Sequence, residues 1–205
     1  MPLTGSSAGT ISSMLGEIVG TAYLCAPLLG GAVVHGACMK YGWLGFLARP
    51  IDGGRTLRGR PLFGHSKTWR GPIAVAAGAW AVFGLQRHVL HDLPLLASFE
   101  LVDYARLPGG WFGALAGAVG ELSELPNSFV KRQLDIEPGG TARGLPGVVF
   151  YLWDQLDVLL GFGLVFACVV APTPLRVAAA VLVVGAIHPL LTLAGYLLGM
   201  RPTAR

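Results

Sequence analysis

Long apolar runs alternate with shorter polar connections along the whole of this chain. A helix that crosses a bilayer needs about 20 mostly apolar residues. On that criterion five spans can be drawn, at roughly Met14 to Met39, Pro72 to Val89, Trp111 to Leu125, Val148 to Val170 and Leu175 to Met200. The third is the weakest, because Glu121 and Glu124 fall inside it just ahead of Pro126. The fifth is the plainest. No internal repeat, linker or low-complexity block divides the sequence, so residues 1–205 read as one all-α domain. The expected architecture is a polytopic membrane bundle with a polar cavity opening to the cytoplasm. Met1 to Ser13 carries no Lys or Arg, so no basic leader precedes the first run, which is expected to remain as a span.

Composition agrees with that pattern. Hydrophobic residues make up 53% of the chain and charged residues only 13%, where a soluble domain carries about 25%. The formal charge of +4 does not point to nucleic acid, because the basic residues sit between apolar spans and form no stripe. Twelve of the 15 fall on one side of the five-span topology, leaving Arg87, Arg106 and Arg176 on the other. That bias places the two long basic segments in the cytoplasm and the N-terminus outside. Cys25, Cys38 and Cys168 lie in apolar stretches with no metal-type spacing and read as buried structural thiols. His35, His88, His91 and His188 read as packing or interface histidines.

The candidate chemistry lies in the basic segments. Gly64-His65-Ser66-Lys67-Thr68-Trp69-Arg70-Gly71 offers cationic and hydroxyl donors to phosphate, with glycines that let a ligand approach the backbone. The spacing is not that of a P-loop; the bland alternative is a basic loop that holds acidic headgroups. Further on, Glu124, Ser128 and Lys131 or Arg132 recur at spacings of three and four, one face of a helix that has to survive Pro126. Asp154 and Asp157 are three apart in an apolar run. Two such carboxylates repel unless a cation lies between them, and they suit a hard metal ion. The bland alternative for the glutamates is an ion network with Lys131, Arg132 or Arg70. Phosphate donors, a divalent ion and a lipid surface point together to chemistry between a nucleotide and a lipid phosphate.

Ser128-x-x-Lys131-Arg132, a short connection with Pro138-Gly139-Gly140, and Asp154-Gln155-Leu156-Asp157 resemble the signature of the CTP-dependent lipid cytidylyltransferases. Pro50-Ile51-Asp52-x-Gly54 with Gly64-x-x-Lys67-Thr68-Trp69-Arg70-Gly71 resembles the CDP-archaeol synthase branch of that group. The resemblance covers about Pro50 to Gly161. It implies transfer of a cytidylyl group from CTP to a lipid phosphate, with release of pyrophosphate. By the same resemblance Mg²⁺ would be held by Glu124, Asp154 and Asp157, and Ser128, Lys131 and Arg132 would join the two aspartates in catalysis. Asp52, Lys67, Thr68 and Arg70 would bind substrate. Where the family has Gly-Asp four residues before its serine, this chain has Ser123-Glu124, with Gly120-Glu121 as a rival for the role. The partners expected are CTP, a lipid phosphate and membrane lipids, no nucleic acid, with an oligomer open. The competing readings are an ion- or proton-coupled transporter and an inactive scaffold of the same fold.

Overall fold

The computed structural model describes residues 5–138, 140, 142–197 and 199. Gly139 and Thr141 in the second basic connection, the end of the fifth expected span at Met200, and the C-terminal Arg201 and Arg205 lie outside the described residues, as does the side chain of His188. The helices are α1 (Gly5–Tyr41), α2 (Arg70–Leu85), the single turn α3 (Pro94–Ala97), α4 (Gly110–Leu122), α5 (Glu124–Gln133), α6 (Gly144–Phe166) and α7 (Pro174–Leu197). A π-helical turn, Gln86–Leu90, extends α2, and a two-stranded hairpin, β1 (Thr56–Leu57) with β2 (Arg60–Pro61), stands in the first basic segment.

Four helices among the described residues are long and apolar enough to cross a membrane: Ser13–Tyr41, Arg70–Leu90, Gly144–Phe166 and Pro174–Leu197. The chain is a multi-pass, membrane-embedded helical protein. The third expected span is the 13-residue α4, about 20 Å long at ~1.5 Å per residue, against a hydrocarbon core of about 30 Å. It stops because Ser123 turns the chain, and α5 restarts at Glu124 with Pro126 in its first turn, where a missing N–H costs no helical bond.

Helix α2 runs antiparallel to α1 and to α4 and lies close to both. A side chain on Gly78 of α2 would strike the Gly30 carbonyl of α1, and one on Gly113 or Gly117 of α4 would strike Ala79 of α2. Small residues at such crossings let backbones approach within van der Waals contact, which drives helix association in lipid. At the far end from the basic segments, Phe83, Phe112, Phe162 and Phe166 stack with Leu24, Val102, Tyr104 and Ala116 into the core. Ring centroids there are 4.6 Å apart for Phe162–Phe166 and 5.1 Å for Phe112–Phe166. Arg176 of α7 grips Glu17 of α1 with two bonds, Nε at 2.6 Å and Nη2 at 2.9 Å. The cysteines divide: Cys25 and Cys38 are buried, but Cys168 is exposed, because it lies just past the end of α6, beyond the helix packing.

Candidate active site

The two basic segments, far apart in sequence, are clasped together. Arg58 and Gly59 both take positive φ, the turn geometry that a two-residue hairpin requires, and this aims Arg60 at the end of α5. Its Nη1 donates to the Gln133 carbonyl at 2.6 Å, its Nη2 pairs with Asp135, and Gln133 Nε2 returns a bond to the Pro61 carbonyl at 3.2 Å. Asp135, itself at φ 58°, ends α5 in the left-handed conformation usual after a helix C-terminus.

Inside the first segment Asp52 organises the loop. Its carboxylate accepts from Gly54 N at 2.8 Å and Phe63 N at 2.9 Å. Burial works against its charge, but these N–H groups and that of Gly64 outweigh it and hold the carboxyl below its ordinary value. Each Asp52 oxygen thus accepts a bond from its own loop. Thr68 is half-buried and pairs through its backbone with Pro50. That pairing, with Ile51 N bonded to the Lys67 carbonyl at 2.9 Å, turns the Lys67 side chain toward α5, where its ammonium pairs with Glu124. Burial works to lower the Lys67 pKa, but Glu124, with Glu121 and Asp157 behind it, raises it further. Lys67 is therefore a retained cation. His65 is exposed.

The second segment meets α6. Ser123 Oγ lies between the carbonyls of Gly120, at 2.5 Å, and Asp157, fixing the start of α5 against α6. Asn127, 2% exposed, then donates Nδ2 to Asp154 Oδ1 at 2.7 Å and to Asp157 Oδ2 at 3.1 Å. Lys131 Nζ holds both oxygens of Asp154, at 2.5 and 2.6 Å, and lies 5.6 Å from the centre of the Phe150 ring. A small cleft of about 50 Å³ opens beside Lys131 and Asp154, lined also by Ile136, Gly140 and Phe150. Ser128 is buried on the same helix.

Three cationic nitrogens stand out. Arg132 is 7% exposed, yet its Nε and Nη1 have no hydrogen-bond partner, and neither has Arg70 Nε. Arg132 packs along Gly64 and Pro138; burial lowers its pKa, with Glu137 opposing. Buried charged donors without partners are costly, and here they sit on the same chain segments as Lys131 and Lys67. The arrangement suits an anion with several acceptor oxygens.

Asp154, Asp157 and Glu124 sit near one another, but among the described residues no three His, Cys, Asp or Glu side chains are gathered as a ligand set. Lys67 and Lys131 occupy Glu124 and Asp154 instead. The donor chemistry nevertheless fits a hard divalent ion: Asp154 and Asp157 address one point at Asn127, whose own Oδ1 is buried and unpartnered. Glu121 has the His35 ring nitrogen at 3.9 Å and lies against Gly71, and Glu124 pairs with Lys67.

Comparison with known proteins decides the family. The family described as CarS-like, CDP-archaeol synthase, matches residues 37–204. The chain belongs to the CDP-archaeol synthase family. The CDP-archaeol synthase of Halorubrum lacusprofundi is 29% identical over 198 residues, 92% of this chain and 98% of that one. That of Aeropyrum pernix is 37% identical over 155 residues, 75% and 76% of the two chains. A solved structure of an intramembrane enzyme for archaeal membrane lipids biosynthesis superposes with a TM-score of 0.54 at 29% identity, covering 81% of this chain and 88% of that one. In this CDP-archaeol synthase family member, sequence reasoning missed Asn127, Arg60 and Asp135. Asn127 directly precedes Ser128 on a polar helical face, a signal that was available; the Arg60–Asp135 clasp spans 75 positions and had none.

Proposed function

We propose that the chain joins CTP to a lipid phosphate, giving a CDP-activated lipid of the CDP-archaeol or CDP-diacylglycerol type and pyrophosphate. It is a lipid cytidylyltransferase by family. The observation that carries the reading is the buried Arg132, whose Nε and Nη1 lack partners, on the same helix as Lys131, which pairs with Asp154. A lipid phosphate oxygen attacks the α-phosphorus of CTP in line; the new P–O bond forms as the bond to pyrophosphate breaks. That oxygen is already ionised at neutral pH, so no strong base is needed, and positioning with charge stabilisation supplies the rate.

Arg132 and Arg70 give their unpartnered N–H groups to phosphate oxygens. Lys131 and Lys67 exchange a carboxylate for phosphate as substrate enters, and Ser128 donates a further hydrogen bond. Thr68 lines the approach. Asp154, Asp157 and Glu124 would hold Mg²⁺, which would supply positive charge against the triphosphate. Asn127 keeps the two aspartates parallel throughout. The basic bias of the flanking segments supports a cytoplasmic site and an outside N-terminus, which brings the site to the CTP pool.

The test is incorporation of radiolabelled CTP with a panel of lipid phosphates in detergent micelles. Label in a chloroform-soluble product, with Mg²⁺ dependence, supports the reading. No transfer to any lipid phosphate by a folded protein overturns it and favours a scaffold.

A further inference from the structure

Eight buried side-chain polar atoms among the described residues lack a hydrogen-bond partner, and they separate by place and by element. Four belong to the site above, and three of those are nitrogens of Arg70 and Arg132. The other four are Tyr23 Oη, Gln86 Oε1, Glu100 Oε1 and Tyr104 Oη. All four are oxygens. They lie at the opposite end of the bundle: α2 starts at Arg70 and Gln86 follows its last residue, about 24 Å away at ~1.5 Å per residue.

These groups come from three segments that the fold draws together. Tyr104 is 0% and Gln86 1% exposed. The Tyr23 and Tyr104 rings meet edge to face with centroids 6.0 Å apart. Gln86 gives Nε2 to the Tyr23 carbonyl at 2.7 Å, which leaves its Oε1 unmatched. Glu100, with a side chain 9% exposed, binds His91 Nδ1 through Oε2 at 2.8 Å, which leaves Oε1 unmatched. Its carboxylate acts electrostatically on both phenols. Burial, then Tyr23 and Glu100, push the Tyr104 phenol up, so it stays neutral. The segment carrying Glu100 presses on α1 at Gly20, where an added side chain would meet the Phe99 carbonyl at 2.7 Å. Gln86 itself opens the π-helical turn, a distortion that recurs at functional sites.

Each cationic side chain near these oxygens already has a partner. Arg87 donates Nη1 to the Tyr104 carbonyl at 3.1 Å, and Arg106 pairs with Asp103 at 2.8 Å. His91 is raised by its bond to Glu100, with Asp92 and Asp103 adding to it. A carboxylate, an amide oxygen and two phenol oxygens, with no nitrogen among them, form the donor set that hard cations prefer. We propose that Tyr23, Gln86, Glu100 and Tyr104 form a second ligand site, for one hard cation such as Na⁺ or Ca²⁺, at the end of the bundle opposite the phosphate-handling residues. The ion ties α1, the π-helical turn and the Phe99–Tyr104 segment together.

The test is thermal unfolding of the full chain in nanodiscs, without CTP, titrated with Na⁺, K⁺, Ca²⁺ or Mg²⁺. Ionic strength is held with N-methylglucamine chloride. A saturable rise of about 5–10 °C at a hundredfold excess over the dissociation constant is expected for at least one ion. Glu100→Gln and Tyr104→Phe should lose most of that rise, whereas Asp154→Asn should keep it. No saturable rise, or an equal rise in Glu100→Gln, means that water alone meets these oxygens and overturns the proposal. If Glu100→Gln fails to fold, equilibrium dialysis of ²²Na⁺ and ⁴⁵Ca²⁺ on Asp154→Asn/Asp157→Asn protein decides. One ion per chain supports the site, and none overturns it.

Discussion

Replacing Arg132 by methionine removes the guanidinium while keeping an unbranched side chain of similar reach. In the ligand-free protein Arg132 is 7% exposed, with Nε and Nη1 unpartnered. Leaving a buried donor unsatisfied costs about 1–3 kcal/mol, more when it is charged. The methionine escapes that cost and retains the packing along Gly64 and Pro138, so Arg132→Met should stabilise the unliganded chain by about 1–3 kcal/mol. For a chain of this size that corresponds to a melting-temperature rise of roughly 2–10 °C. The same change removes two donors that the proposed reaction assigns to phosphate, and losing one partner of a buried charge pair costs about 2–5 kcal/mol in binding. CTP should then bind at least about 30-fold more weakly. Thermal unfolding in micelles with and without CTP reads both effects at once: a higher baseline and a smaller ligand-induced shift. A variant that melts lower than wild type and still responds fully to CTP would refute the argument, because Arg132 would then be a structural residue with unseen partners.

Asn127→Ala should cost about 1–3 kcal/mol of stability through the two lost bonds and cut turnover at least tenfold, read by CTP incorporation; Asn127→Asp should do worse by setting another carboxylate against Asp154 and Asp157. Glu124→Gln should release Lys67, slow turnover and raise the Mg²⁺ requirement, while Glu121→Gln should mainly lower the melting temperature; the reverse pattern of activities would move the third carboxylate to Glu121. The Asp52 carboxyl has its pKa depressed by folding, so its contribution is present above the ordinary value of 3.8 and is lost as pH falls through the folded value. The melting gap between wild type and Asp52→Asn should therefore be widest near neutrality and close in acid, and a gap independent of pH would remove Asp52 from the loop's stability. In an otherwise cysteine-free chain in intact cells, an impermeant thiol reagent should label Ser98→Cys and spare Arg58→Cys; the opposite pattern inverts the orientation.

The apolar runs made the helices legible, because a stretch of that length leaves the backbone few alternatives in lipid. Their ends were less so. The break at Ser123 depends on its hydroxyl reaching the Asp157 carbonyl across to α6, a contact that no local pattern encodes. Asp154 and Asp157 were visible as carboxylates out of place in an apolar run, and Lys131 and Arg132 as cations on the facing helix. Their partners were not visible. Sequence spacing put Glu124 with Ser128 on one face, yet its countercharge, Lys67, comes from 57 positions earlier. Asp52 was visible as a motif position, but its bonds to Gly54 and Phe63 of its own loop were not.

The fork between Glu17 and Arg176 joins groups 159 positions apart, and the order in which a ribosome delivers them has a consequence for assembly. At about 5–20 residues per second, α1 waits roughly 10–30 s before its partner leaves the tunnel. A lone carboxylate near the hydrocarbon is expensive over that interval, so the first helix has to stay shallow, or protonated, until the last one arrives. The final helix is therefore a closing bolt, and a chain cut short of Pro174 would leave α1 unable to settle, however complete the site at the other end.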